Sequence, residues 1–408
     1  MIIEKIKCAS LLVLTSLIFH QCESNVSKDV TTKPKQLNEA NLTDSIEIIV
    51  APVDYNFIDS LRKDVLTNRV ITKGHKVYRN ATILFENDSI PVKIRLKGDR
   101  RDHYSSNPPS FRVKIKGNKT LFGTNKLSIQ SLDTRNSYAE WIYLKILEEQ
   151  DILSLNMGLI HLTLNEHEKL YSYEEHFTHY LTQRFGRPNG PIICITEDAF
   201  WERLSLDKNL PKKEEFEIYK KSPIKSFKNK AKLDIDVVFN AQYLLESYQK
   251  GEKKASEVFD IEKLSLAYAI ADLVNAHHSL RWHNNRFYFN PKTKKLEPIG
   301  FDGMSRSETN KFVFEDIDFL NPHVVNQLFS DEIFVQKYVE ALDFVSQEQF
   351  LNQFFKSNKE TLLNLQNEIK KSDSTYQFNH HKLINNAKWI KDHLPEYSKK
   401  LNHFIQTR

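Results

Sequence analysis

Cysteine and glycine are both scarce in this sequence. The 408 residues include three cysteines and ten glycines. With Cys8 and Cys22 at the extreme N-terminus and Cys194 alone beyond them, we expect no intrachain disulfide framework, so the fold must depend on its own core. So few glycines argue against collagen-like, glycine-linker and propeller architectures, and no internal repeat recurs at a fixed period.

The chain also lacks a marked excess of charge of one sign. Its 58 basic and 53 acidic residues give a net charge of +5. Bulk electrostatics therefore gives no reason to infer a nucleic-acid partner. With 40% apolar and 27% charged residues, the composition is that of a globular protein long enough for two substantial cores.

The N-terminal apolar run, Cys8–Phe19, is too short to span a bilayer as a helix. Two lysines precede it, which is typical of a secretory signal. Cys22 then resembles the acylated cysteine of a bacterial lipoprotein, although His20 and Gln21 stand where small residues are usual. We expect export and a lipid anchor on Cys22 at the membrane surface of the cell envelope, with plain secretion or an uncleaved anchor as alternatives.

The rest of the chain divides into a strand-like first half and a helical second half. After a lipoprotein-type signal peptide (1–22) and a polar, flexible tether (23–45), short alternating segments punctuated by Asn, Asp, Gly and Pro predict an antiparallel sheet. We predict an α+β fold with a β-rich N-terminal lobe (46–190) and a helical C-terminal lobe (191–408). A cleft between two such bodies is a common place for a site.

Four local patterns refine this division. Ser137 and Glu140 form a capping-box signature at the start of a helix, and Gly158–Phe177 predicts a hairpin. The Lys-, Pro- and Glu-rich stretch 188–230 is interpreted as an insertion or a hinge, and Ile261–Val274 is apolar nearly all round, as in a buried helix.

The segment Arg281–Gly303 is the most informative part of the sequence. NRFYFN and KLEPIGFD predict two strands joined by a turn, which brings Asn284 and Asp302 to the same end of a hairpin. An amide oxygen and a carboxylate there are hard ligands suited to Mg²⁺, and the same groups serve phosphoryl transfer. An Asp-Gly pair is also ordinary turn chemistry, so a purely structural interpretation stays open.

Basic side chains recur at every second position of two predicted strands. Arg95 and Lys97 share one strand face, as do Arg112 and Lys114. Such residues commonly form a solvated surface. Alternatively, they line a cleft and neutralise a polyphosphate.

Several motifs, in order, resemble the spore-coat protein H (CotH) kinase family in its bacterial envelope lipoprotein form. The resemblance covers roughly Val92 to Met304 and is carried by RLKGDRRDH, SFRVKIKG, FGTNKLSIQ, TRNSYAEW, LYSYEEHF, RPNGPII, EDAFW, NAHHSLRWHNNRFYFNP and LEPIGFDG. It implies a divergent protein-kinase-like, two-lobed fold. It also implies an atypical protein kinase that uses ATP with Mg²⁺ or Mn²⁺ to phosphorylate envelope or secreted proteins.

The resemblance assigns roles to particular residues. Asp302 and Asn284 would hold the metal ion, and Glu175 would orient a nucleotide-binding lysine. Lys114 is preferred to Lys97 for that lysine because it lies in the SFRVK motif, with the arginines Arg95 and Arg112 beside the nucleotide.

The sequence departs from the family at the catalytic base. The loop ahead of Asn284 lacks the usual aspartate, which leaves His277, or Asp272 on the preceding helix, as candidates near the acceptor hydroxyl. His277 equally suits a structural role. A pseudokinase that binds nucleotide without turnover is the close alternative.

Two further interpretations belong to other classes. His277, His278 and His283 supply three imidazoles, which is a ligand set for zinc, although the spacing is not that of a zinc helix motif. A surface binding or assembly lipoprotein would use the basic strands together with four aromatic residues: Tyr104, Trp141, Trp282 and Phe287. In a kinase, Lys114 or Lys97 should lie beside Glu175 and face Asp302.

Overall fold

The computed structural model describes residues 44–68, 73–98, 101–134, 137–227, 233–305 and 308–407. The predicted signal peptide, with Cys22, and the predicted tether up to residue 43 lie outside the described residues. The first strand already begins at Ser45. Within the described part, no helix combines the length and the apolarity needed to cross a membrane.

The first half forms a closed seven-stranded barrel in the order β1-β2-β3-β4-β5-β8-β7. Neighbouring strands are antiparallel except β1 and β7, whose parallel pairing closes the barrel. The strands, with β6 belonging to a second sheet, are β1 Ser45–Ile49, β2 Arg79–Phe85, β3 Asp88–Leu96, β4 Phe111–Ile115, β5 Lys126–Ser131, β6 Leu153–Ser154, β7 Met157–Leu164 and β8 His167–Glu175.

Alternation of side chains explains both faces of the barrel. On β4 the pattern FRVKI buries Phe111, Val113 and Ile115 inside, while Arg112 and Lys114 point outward. Three helices accompany these strands: α1 Pro52–Asn68, α2 Asp102–Ser105 and α3 Ser137–Glu149. The predicted hairpin is confirmed as the β7–β8 pair.

A second, five-stranded sheet has the order β10-β9-β11-β12-β6. Its remaining strands are β9 Ile192–Ile195, β10 Ile224–Ser226, β11 Phe287–Asn290 and β12 Lys295–Gly300. The antiparallel pairing of β11 with β12 confirms the predicted hairpin in Arg281–Gly303. Since β6 precedes residue 190, this sheet draws strands from both sides of the predicted lobe boundary.

The second half is mainly helical, which confirms the β-rich to helical order of the chain. Its helices are α4 His179–Arg184, α5 Asp198–Leu206, α6 Lys212–Lys221, α7 Ile235–Gln249, α8 Ala255–Val258, α9 Ile261–Leu273, α10 Ile317–Leu320, α11 Pro322–Phe329, α12 Glu332–Val345, α13 Glu348–Ser357, α14 Lys359–Ser372 and α15 His381–Gln406. The predicted buried helix is α9, whose N-cap Asp260 accepts a hydrogen bond from the Lys263 backbone amide.

The molecule contains two hydrophobic cores. The smaller one fills the barrel, and the larger one joins α3, the second sheet and the C-terminal helices. Cys194 on β9 is buried and free. The helix α3 packs in the larger core although it lies within the strand-rich half of the sequence, so it connects the two parts.

Candidate functional site

A cleft of about 340 Å³ lies between the outer face of the barrel and the second sheet with its adjoining turns. Lys97 lines it from the barrel side, while Asn284 and Asp302 line it from the opposite side. Arg95 and Arg112 also line it. Five of the predicted nucleotide-binding and metal-binding residues, Lys97 included, therefore line one cavity.

Lys97 follows β3 and is 7% exposed. Its Nζ donates a hydrogen bond to Gln130 Oε1 at 2.5 Å and lies 3.8 Å from Glu174 Oε1. Glu174 is itself buried on β8. A charged amine that is removed from water needs such a partner, so Glu174 fixes the lysine where it faces the cleft.

In the structure, Glu175 contacts an arginine instead of the expected lysine. Adjacent strand residues point to opposite faces, so Glu174 faces Lys97 whereas Glu175 contacts Arg184, with Oε2 3.1 Å from Nη2. Burial raises the pKa of Glu175 above its usual value. Lys114 is exposed on the outer face of β4 and is not among the residues that line the cleft.

The hairpin β11–β12 delivers Asn284 and Asp302 to the same end, as the sequence predicted. His278 connects them: the Asn284 amide nitrogen donates to the His278 carbonyl oxygen at 2.9 Å, and His278 Nδ1 lies 3.5 Å from Asp302 Oδ2. Because the amide nitrogen of Asn284 is engaged, its amide oxygen is the atom offered to a cation. Oxygen donors of this kind suit a hard divalent ion, which takes its remaining ligands from water and phosphate.

Glu140 on α3 holds the turn that follows Asp302. Its two carboxylate oxygens accept the backbone amides of Gly303 and Met304 at 3.0 and 2.9 Å. Asp302 itself has φ of 57°, a left-handed conformation that a non-glycine residue adopts at a cost. A Cβ at Gly303 would lie 2.6 Å from Tyr143 Cδ1, so only glycine lets α3 approach this closely. The sequence pattern predicts only a capping-box role for Glu140, so this contact is found in the structure alone.

His277 and Asp272, the candidate bases, lie in a buried network away from the cleft lining. His277 Nε2 is 2.9 Å from Asp272 Oδ1, and its Nδ1 is 2.8 Å from Asp316 Oδ2. Burial alone would lower the pKa of His277, but the hydrogen bonds to the two carboxylates raise it to about 9. The imidazolium of His277 therefore joins α9 to the turn that carries His278. This is the structural role that the sequence allows as the alternative to catalysis.

The three histidines do not converge on one point. His283 is 2% exposed, stacks on Phe200 at 4.6 Å between ring centroids, and has no hydrogen-bond partner on either ring nitrogen. Among the described residues, no group of three or more His, Cys, Asp or Glu side chains is placed to hold a metal ion. The geometry gives no support to a three-histidine zinc site.

The cleft is rich in positive charge. Seven Lys and Arg side chains but only three carboxylates line it, the latter from Asp102, Glu197 and Asp302. Burial, followed by the charges of Arg112 and Lys126, holds the pKa of His176 in the same lining well below its usual value. An enclosed excess of cations is suited to a polyanionic ligand.

Sequence reasoning missed several of these residues. Lys225, Arg281 and Arg286 line the cleft, and Arg286 packs near Phe177, Phe227 and Phe301, with its guanidinium carbon 5.6, 5.9 and 5.7 Å from their ring centroids. None belongs to a pattern with a recognisable spacing. Their convergence depends on how β10 and β11 pair with β9.

The aromatic residues proposed for a surface binder are mostly inside the protein. Tyr104, Trp282 and Phe287 are buried, and Trp141 packs partly buried against the larger core. These rings are core residues rather than a face for a polymer.

No protein-family model matches the chain, and no curated protein is similar to it.

Proposed function

We propose that this chain is an atypical, CotH-like protein kinase that transfers a phosphoryl group from ATP to protein hydroxyls in the cell envelope. In this proposal the barrel corresponds to the N-terminal lobe of a divergent kinase-like fold, and the helical part corresponds to the C-terminal lobe. The chain would be exported and anchored by a lipid on Cys22. Its partners would be envelope or secreted proteins, with no nucleic acid involved.

One observation carries the proposal: a buried lysine paired with a glutamate faces an Asn and Asp pair across a cationic cleft. Lys97 would bind phosphate oxygens, and Glu174 would hold its ammonium group in place. Phosphoryl transfer depends mainly on such positioning and on electrostatic stabilisation. The basic residues Arg95 and Arg112 would add attraction for the triphosphate.

Asn284 and Asp302 fit a Mg²⁺ or Mn²⁺ ion because both present oxygen ligands from the same end of a hairpin. When bound, such an ion would neutralise phosphate charge and orient the triphosphate. The chain's own contribution is to fix these ligands, Asn284 through His278 and Asp302 through the turn held by Glu140. Neither ligand depends on a long, mobile side chain.

A second candidate function, a pseudokinase, is favoured by the place of the presumed bases. His277 and Asp272 are engaged with each other and with Asp316, and neither lines the cleft. A general base must come within hydrogen-bond reach of the acceptor hydroxyl. Nucleotide binding without turnover would follow if no other carboxylate, such as Asp102, performs this task.

Isothermal titration of the purified chain with ATP, with and without Mg²⁺ or Mn²⁺, tests the proposal. Metal-dependent binding should be lost in Asp302→Ala and weakened in Lys97→Met, whereas Asp392→Ala, an exposed aspartate on α15, should bind like the wild type. Equal binding by Asp302→Ala would refute the site. A gain of phosphate mass on the chain or on an added protein then separates a kinase from a pseudokinase.

A further inference from the structure

Three lysines form a row across the outer face of the barrel. The strand registers place Lys93 on β3 opposite Lys114 on β4, and Lys114 opposite Lys126 on β5. Directly opposed residues on one sheet face have their Cβ atoms about 5 Å apart, so the three side chains leave the sheet side by side. We call Lys93, Lys114 and Lys126 the lysine row.

The row has no internal counter-charge. Among the described residues, no carboxylate forms an ion pair with any of its three members. Burial, followed by the charges of Arg112, Arg95, Lys114 and Lys225, lowers the pKa of Lys126 to about 7. Like charges directly opposite one another destabilise a sheet. Such a cost is offset when an anion binds.

The row leads from solvent into the cleft. Lys93 and Lys114 are exposed, and Lys126 is half-buried. His176 is the neighbour of Lys126 on the side of the cleft. Its backbone amide donates to the Lys126 carbonyl oxygen at 3.1 Å, and its side chain lines the cleft. Exposure therefore decreases along the row toward the site.

We propose that the lysine row is a docking site for an acidic segment of the protein that the cleft phosphorylates. This inference rests on the proposed function and names the class of its acceptor. Along β5, Lys126 lies four positions before Gln130, which contacts Lys97. Four extended residues span about 13 Å. Acidic residues about four positions from the acceptor serine or threonine would reach the row while the hydroxyl enters the cleft.

Fluorescence anisotropy on the full chain provides the test. The probe is a labelled, extended peptide with glutamates about four residues from a serine, and its matched control has glutamines instead. We expect the acidic peptide to bind at least about tenfold more tightly, and Lys93→Glu with Lys114→Glu to remove that preference. The control double variant, Lys370→Glu with Lys399→Glu, changes the net charge equally at exposed sites on α14 and α15.

Equal losses in the two double variants would show a bulk charge effect and overturn the proposal. Preference for vesicles of phosphatidylglycerol over the acidic peptide would overturn it in favour of a membrane surface. ATP titrations on the same proteins keep the two ideas separate. Failure of the wild type to bind ATP refutes the proposed function, while a wild type that binds ATP but shows no preference for the acidic peptide refutes the docking site.

The pH dependence of peptide affinity is a second readout. Arg112, Arg95, Lys114, Lys225 and His176 surround Lys126, and the pKa of His176 is too low for it to titrate near neutrality. Affinity should therefore fall several-fold between pH of about 6 and 8 as Lys126 loses its proton. Lys126→Arg keeps its charge and should bind with little change over that range. If the peptide affinity of Lys126→Arg falls with pH as it does in the wild type, Lys126 has no role in binding the peptide.

Discussion

Glu140 gives the sharpest test of how the candidate site is held. Its carboxylate is 1% exposed and accepts two backbone amides, those of Gly303 and Met304. A hydrogen bond to a charged group contributes about 1.5–3 kcal/mol. Loss of both in Glu140→Ala would remove about 3–6 kcal/mol, which approaches the whole stability of many proteins.

Glu140→Gln is therefore the better variant, because one amide oxygen can still accept while the NH₂ group faces the other backbone amide. We expect unfolding in urea, followed by circular dichroism, to show a loss of about 1.5–3 kcal/mol. The affinity for ATP with Mg²⁺ should fall by about tenfold, because the Asp302 turn loses one of its two anchors.

Glu360→Gln, an exposed glutamate on α14, is the matched control and should change neither quantity. The reasoning would be refuted if Glu140→Gln were as stable as this control. A loss of stability with unchanged nucleotide affinity would leave Glu140 as a structural residue and remove its link to the site.

Three further predictions concern residues around the cleft. The pKa of His277 in the folded chain, about 9, exceeds the ordinary 6.5, so its stabilisation is complete below pH 6.5 and is lost as the pH rises through 9. This stabilisation amounts to about 3 kcal/mol. The difference in unfolding free energy between wild type and His277→Gln should therefore shrink by about that amount as the pH rises, and Lys126, which titrates with the opposite sign, cancels in the difference. A difference that stays constant with pH would contradict the network. Gly303→Ala should cost about 1–3 kcal/mol in urea unfolding, since its Cβ meets the Tyr143 ring, and an unchanged midpoint would show that α3 can shift. His283→Phe removes two buried ring nitrogens that make no hydrogen bond, with Nδ1 3.9 Å from Glu197 Oε2, and should leave the thermal midpoint unchanged or raise it. A marked fall would mean that the contact with Glu197 stabilises the fold.

Local patterns in the sequence predict the hairpin and the buried helix next to the site, but not the partners of the site's side chains. The hairpin that carries Asn284 and Asp302 and the buried helix α9 both follow from periodicity and turn residues. Glu174 and Glu175 are both buried on β8, so polarity alone gives no indication of which one faces the cleft. A shift of one residue in strand phase exchanges their roles.

Non-local contacts account for the rest. The helix α1 lies within a region that was predicted as strands, and the parallel pairing of β1 with β7 joins segments far apart in sequence. Glu140 meets the Gly303 turn across 163 residues, a contact that no local spacing encodes. Motif position favours Lys114 as the nucleotide-binding lysine, whereas in the structure Lys97 is buried and lines the cleft and Lys114 is exposed.

The parallel seam of the barrel also constrains the order in which the protein folds. During synthesis β1 emerges early and can pair with β2 once the intervening segment, which contains α1, has been made, but its other edge has no partner until β7 appears about a hundred residues later. Closure of that edge is a contact between distant segments, which is entropically costly and slow to form. The nascent sheet must therefore keep the free edge of β1 soluble until β7 arrives, and substitutions in Ser45–Ile49 should act on folding yield before they affect anything in the cleft.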